Sequence, residues 1–161
     1  MKIPSIVITK EVQEEIIHSL REINYPANLK GYNYMKTALE TILNQPELIE
    51  YITKELYPIV ADVHHTTPSR VERALRHSIE VVYDRNDPMY LAEILGPSNY
   101  NKGKLTNSEF LAVMAENIRI SLDRLTELKG EVLPQACKDL ADEARLLQLR
   151  ADLITLGVIK E

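Results

Sequence analysis

Thr66-Thr67-Pro68-Ser69-Arg70-Val71-Glu72-Arg73-Ala74-Leu75-Arg76-His77-Ser78-Ile79-Glu80-Val81 is the stretch whose reading decides the fold. Wound at about 100° per residue, it separates into two opposed faces. Val71, Ala74, Leu75, Ser78 and Val82 share one side and are small or apolar, fit for burial. Ser69, Glu72, Arg73, Arg76 and Glu80 share the other, with Arg70 and His77 on its flank. Such a face, dense in groups that make two directed hydrogen bonds and starting at a helix N-terminus, suits base edges in a DNA major groove. Taken alone, it also fits an ordinary amphipathic helix whose charges only solvate it.

The residues just upstream favour DNA. A helix-turn-helix needs a small residue in its first helix, then four residues on a turn residue tolerant of positive φ. Six further on comes a β-branched apolar residue; here the three are Ala61, His65 and Val71. Ala61 lets two helices approach, and His is among the few non-glycine residues enriched at positive φ. Pro58 suits the first turn of the leading helix, where its missing N–H costs nothing. Thr67 is placed to cap the second helix, predicted over 68–83, with Pro68 as its first residue.

The rest of the 161 residues is consistent with an all-α protein. A hydrophobic content of 45% beside 27% charged residues is that of a soluble globular chain with a real core. No apolar run approaches the ~20 residues of a membrane span, and no membrane partner is expected. The start, Met1-Lys2-Ile3-Pro4-Ser5-Ile6-Val7-Ile8, lacks a signal-peptide core before Lys10 and Glu11. A single cysteine, Cys137, fits a reducing cytoplasm. The net charge of −5 opposes binding DNA by bulk phosphate neutralisation. The arginines Arg70, Arg73, Arg76 and Arg85 are expected to offset it locally.

Helices are expected from Thr9 to about Asn24, from Gly31 to Asn44, and from Pro46 through Leu56 to a break or kink at Pro58. After the helix-turn-helix, Arg85-Asn86-Asp87-Pro88 marks an exit, and a short helix near Tyr90–Leu95 closes at Gly96-Pro97. The loop from Ser98 to Leu105 is polar, with Lys102 and Lys104. Thr106-Asn107-Ser108-Glu109 reads as a capping box opening a long helix that Gly130 ends. Pro134 is expected to start a last helix reaching Leu156, with Gly157 as its stop.

In Lys30-Gly31-Tyr32 with Tyr34, Leu56-Tyr57-Pro58, Thr67 and Ser69-Arg70-Val71-Glu72-Arg73-Ala74, the chain resembles a known family. Arg76-His77, Ile79-Glu80-Val81 and Thr106-Asn107-Ser108-Glu109-Phe110 continue the likeness. From about Glu14 to Leu122 it is similar to the DNA-binding effector domain of the stage-zero sporulation response regulator of endospore-forming Firmicutes. The resemblance implies a six-helix, wingless helix-turn-helix module that binds a short promoter box, often in tandem. It assigns DNA contacts to Ser69, Arg70, Glu72, Arg73, Arg76 and His77. By chemistry, Arg73 and Arg76 suit guanine O6 and N7, and Glu72 the cytosine amino group. Ser69, Arg70 and His77 suit phosphates. The short helix after Pro88 resembles the region implicated in contact with the polymerase sigma subunit.

The sequence departs from the family in three ways. It begins almost at the effector module, so receiver phosphorylation is not the expected switch. Asp62, in Ala61-Asp62-Val63-His64-His65, stands where the family usually carries lysine. Residues 123–161 add helical sequence beyond the module of 9–122. In that addition Leu133, Cys137, Leu140, Ala144, Leu147, Ala151, Ile154 and Val158 alternate four and three apart, as in a coiled-coil seam. Leu146, Leu149, Leu153 and Leu156 broaden the stripe. A self-dimerising hairpin, a hairpin folded back on the module and a partner-binding arm all fit the pattern, and homodimerisation fits best.

No phosphate loop, Ser-His-Asp order or acid–base carboxylate pair is present, so no enzyme and no cofactor are expected. His64, His65 and His77 lack metal-ligand spacing and are expected to be solvated or to face phosphates. Cys137, at a seam position, reads as a small core residue. The function expected is a cytoplasmic, homodimeric transcription regulator that reads double-stranded DNA. The alternative is an effector-like interaction module, or antagonist, that does not bind DNA productively.

Overall fold

Six α-helices and no strand make up the described residues, an all-α architecture. The computed structural model describes residues 3–96 and 103–155, with backbone alone at 129–142, 149 and 152–155. The helices are α1 (Lys10–Glu22), α2 (Lys30–Asn44), α3 (Tyr57–Val63), α4 (Pro68–Arg85), α5 (Pro88–Leu95) and α6 (Asn107–Thr155). By contacts the chain divides into two units, Met1–Leu122 and Asp123–Glu161.

Local chemistry sets most helix ends. The Thr9 hydroxyl accepts from the Val12 N–H at 3.4 Å, capping α1. At the other end Asn24 adopts φ 51°, its N–H donating to Arg21 and that of Tyr25 to the Leu20 carbonyl. This is a Schellman closure with Asn in place of Gly, so α1 stops at Glu22, short of the Asn24 expected from sequence. Asp87 caps α5 through bonds of 2.8 and 3.3 Å from the Met89 and Tyr90 N–H groups. Gly96, at φ 95°, ends that helix.

Between α2 and α3 the expected α-helix does not form. Pro46–Tyr51 is a 3₁₀-helix, and Ile52–Leu56 a wide π turn in which the Tyr57 N–H reaches the Ile52 carbonyl. Pro58 explains the widening. It has no N–H for the carbonyl of residue 54, and in a regular helix its ring would strike that carbonyl.

The turn between α3 and α4 repeats the closure seen after α1. His65 has φ 50°, its N–H donates to Asp62 at 3.3 Å, and that of Thr66 to the Ala61 carbonyl at 2.9 Å. Ala61 and Val71 are both fully inside, so the helix-turn-helix forms on the three positions singled out. A left-handed L-residue costs about 1–2 kcal/mol, whereas the added freedom of glycine in the unfolded chain costs about 0.4–1 kcal/mol. His65→Gly is therefore expected to stabilise the fold by about 0.5 kcal/mol, and His65→Val to destabilise it. Thermal melts ordered Gly above His above Val would check this.

The core of the first unit gathers every helix: Ile16, Leu20, Met35, Leu39, Val60, Leu75, Leu91, Phe110 and Met114 all lie within it. Polar clamps tie its ends. Asn86 Nδ2 donates to the carbonyls of Ile23 and Val82, both at 2.8 Å, and its oxygen accepts from Asn24. Tyr90 donates to the Glu22 carbonyl at 2.8 Å. Arg119 reaches the carbonyls of Pro4 and Leu43, holding the N-terminal segment beside the end of α2. Burial pushes the phenols of Tyr25, Tyr57 and Tyr83 up from their ordinary range.

α6 opens on the expected capping box. Glu109 N–H donates to the Thr106 hydroxyl, and the Glu109 carboxylate accepts from the Thr106 N–H at 3.0 Å. It then departs from expectation, because one helix runs from Asn107 to Thr155 through Gly130 and Pro134. There is no stop at 130 and no new start at 134, and hence no hairpin among the described residues. An interior Gly costs about 1 kcal/mol and an interior Pro about 3. The runs of Leu, Ala, Glu, Lys and Arg on either side are strong helix formers and carry the helix across. The expected stop at Gly157, together with Pro97 and residues 98–102 of the expected loop, lies outside the described residues.

Candidate nucleic-acid interface

The candidate interface is the outer face of α4, and its N-terminus is well defined. The Thr67 hydroxyl accepts from the Arg70 N–H at 3.4 Å, and Pro68 occupies the first turn. Val71, Leu75, Ser78, Ile79 and Val82 turn inward, all at or below 2% exposure. Ser69, Arg70, Arg73, Arg76, His77 and Glu80 are exposed, and Glu72 is half-buried. The two faces read from the sequence are therefore the two faces of the folded helix. All six expected contact residues fall on the outer one or its flank.

Two of the six already touch. Arg76 Nη2 donates to Glu72 Oε1 at 2.6 Å, one helical turn back. Beneath them, Asn107 at the start of α6 donates to the Tyr57 hydroxyl and to the Glu72 backbone carbonyl, both at 3.1 Å. α3, α4 and α6 thus meet at one amide, which fixes the outer helix at the turn carrying Glu72. Burial raises the Tyr57 phenol, and the Asn107 bond partly opposes this. Among the described residues neither Arg70 nor Arg73 forms an ion pair.

Two expectations about charge and histidine need correction. Arg85 does not join the other arginines. It lies nine residues beyond Arg76, about 14 Å along the axis, beside Arg21, Asn24 and Tyr25. The local basic patch is consequently three arginines. His64 is not simply solvated: it is half-buried, its Nε2 lies 2.8 Å from the Thr37 hydroxyl and Tyr34 meets its ring edge-on at 4.9 Å. No group of His, Cys, Asp or Glu among the described residues could hold a metal.

Several residues that build the site were not singled out from sequence. Asn107 read only as part of a capping box, and Tyr57 as part of a motif; that both meet beneath the outer face of α4 is a tertiary fact. Asn86, placed in an exit turn, secures the far end of α4.

Residues 16–118 match the family described as Sporulation initiation factor Spo0A C terminal. The chain belongs to this family. The match takes in α2 to α5, both helices of the helix-turn-helix and every residue of the outer face. It ends at Ile118, so the last part of α6 lies beyond it. The family is one of DNA-binding regulatory domains of sporulation, not of enzymes. Among the described residues no helix is long and apolar enough to cross a membrane.

Proposed function

We propose that the protein is a sequence-specific transcription regulator, with α4 lying in the major groove of a short promoter box. The observation that carries this is the exposed row Ser69, Glu72, Arg73 and Arg76 on a helix pinned by Thr67 and Asn107. Arg73 and Arg76 read guanines and Glu72 a cytosine, while Ser69, Arg70 and His77 hold phosphates. Residues 9–122 form the DNA-binding module and 123–161 the arm that joins two copies. Two copies read paired boxes, because a single short box is too common in a genome to be selective. The exposed Met89 and Tyr90 on α5 offer a surface for the polymerase sigma subunit. The protein acts in the cytoplasm.

The test is binding to the family's promoter box against a scrambled duplex, across a salt series. Specific binding is expected, with a salt dependence shallower than that of a lysine-bearing relative. Each missing phosphate contact, including the one Asp62 denies, flattens the log–log slope by about 0.9. Equal binding to both duplexes at low salt would overturn the reading in favour of an interaction module.

A further inference from the structure

We propose that the end of α6 pairs with the same segment of a second copy in an antiparallel seam, centred between Ala144 and Leu147. This rests on the homodimer reading above and specifies its geometry. The seam positions alternate in size as well as in spacing. Cys137, Ala144 and Ala151 form one row, and Leu133, Leu140, Leu147 and Ile154 the other. Both rows lie on a helix unbroken to Thr155, so the register carries through without a turn. Leu147 is 64% exposed, which leaves an apolar face to be covered.

The two orientations of a partner helix differ sharply. In a parallel pair each position meets itself, so Ala144 faces Ala144 and Leu147 faces Leu147. Underfilled layers would then alternate with crowded ones. In an antiparallel pair the numbers of facing residues have a constant sum. Ala144 meets Leu147, Leu140 meets Ala151, and Cys137 meets Ile154 of the second copy. Every layer then holds one small and one large side chain, at even helix separation.

Charge selects the same orientation. Glu143 and Arg150, both exposed, immediately precede Ala144 and Ala151 and so flank the seam on one side. The antiparallel register sets Glu143 beside Arg150 of the second copy, and two-fold symmetry repeats the pair. The parallel register sets Glu143 beside Gln148 and Arg150 beside Thr155, which matches no opposite charges. A second copy is therefore complementary to this segment in shape and charge, in one direction only.

Cys137 is the only cysteine, which makes it a reporter. In the antiparallel seam the two Cys137 residues stand 17 residues apart along the axis, about 25 Å, while a disulfide needs Cα atoms within about 7 Å. The full-length Ile154→Cys variant under mild oxidation should form covalent dimers at least tenfold faster than the unaltered protein. It should exceed the Cys137→Ser/Ile154→Cys variant by as much. Glu143→Arg should weaken association about tenfold, and adding Arg150→Glu should restore it. Rapid crosslinking of the unaltered protein through Cys137 would make the seam parallel and overturn the proposal while leaving the homodimer intact. A dimer by sedimentation in which no variant crosslinks would place the contact elsewhere and also overturn it. A monomer at micromolar concentration would overturn both the orientation and the homodimer.

Discussion

Gly31→Ala is expected to destabilise the first unit by about 1–3 kcal/mol, although the substitution improves helix propensity. Gly31 lies in the first turn of α2, where that helix meets the middle of α4. A Cβ added there would fall inside the Ser78 hydroxyl and 2.5 Å from the Ala74 carbonyl oxygen. The Ser78 hydroxyl can rotate, but the Ala74 carbonyl is helix backbone and cannot move without moving α4. The propensity gain of Ala over Gly is at most about 1 kcal/mol and smaller in a first turn, so overpacking wins. Denaturant melts should show a lowered midpoint at unchanged slope. Gly103→Ala is the control, since its φ is 80° but nothing lies within 4 Å of the added carbon. It should cost only the strain of a left-handed residue less the freedom glycine loses on folding, a net of about 0.5 kcal/mol. If the two variants lost equal stability, close approach would not be what Gly31 serves.

Gly31 also shows what the sequence could and could not disclose. It stood out in Lys30-Gly31-Tyr32 as part of a family motif, yet its partner on α4 is 43 residues away and follows from no local rule. Ser78 looked like one more small residue on an inner face. In the fold its hydroxyl and that of Tyr25 are buried facing one another, without a hydrogen bond of good geometry. Features set within one turn of helix were legible: the Thr9 and Thr67 caps, the box at Thr106 and the positive φ of His65. Their causes are local, because a side-chain oxygen meets an N–H two or three residues on. The helix breaks assigned to Gly130 and to residues 46–58 were read less well. Gly and Pro carry fixed local costs, but whether a helix ends depends on what the flanking residues gain by continuing it. At 130 and 134 the flanks won. At Pro58 the chain kept its path by widening one turn.

The outer face of α4 was legible as a face because periodicity alone separates it from the core. Its internal pairing was not foreseen, though Glu72 and Arg76 are one turn apart and oppositely charged. That pairing bears on how the face would meet DNA. Both partners are substantially exposed, at 39% and 62% of their side-chain surface. Pairs of this kind contribute about 0.3–0.5 kcal/mol, while a bidentate arginine–guanine contact discriminates by about 1–3 kcal/mol. The ion pair therefore orients Arg76 without locking it.

Arg73→Ala and Arg76→Ala are accordingly expected to lower the preference for the promoter box over scrambled DNA by about 5- to 150-fold each. Each should relax base choice at one position and leave the protein folded, because both side chains are solvent-exposed. Arg76→Ala also releases the Glu72 carboxylate, so its loss should exceed that of Arg73→Ala if Glu72 then repels nearby phosphates. Arg70→Ala should behave differently, since Arg70 sits in the first turn beside the capped N-terminus. There it would meet the backbone, weakening all duplexes alike and flattening the salt slope by about 0.9. Binding of the three variants to a panel of single-base box variants, at two salt concentrations, separates the roles. Uniform loss from Arg73→Ala or Arg76→Ala, with base preference intact, would move those residues to the phosphates. Sequence choice would then have to come from the shape of the DNA rather than from this face.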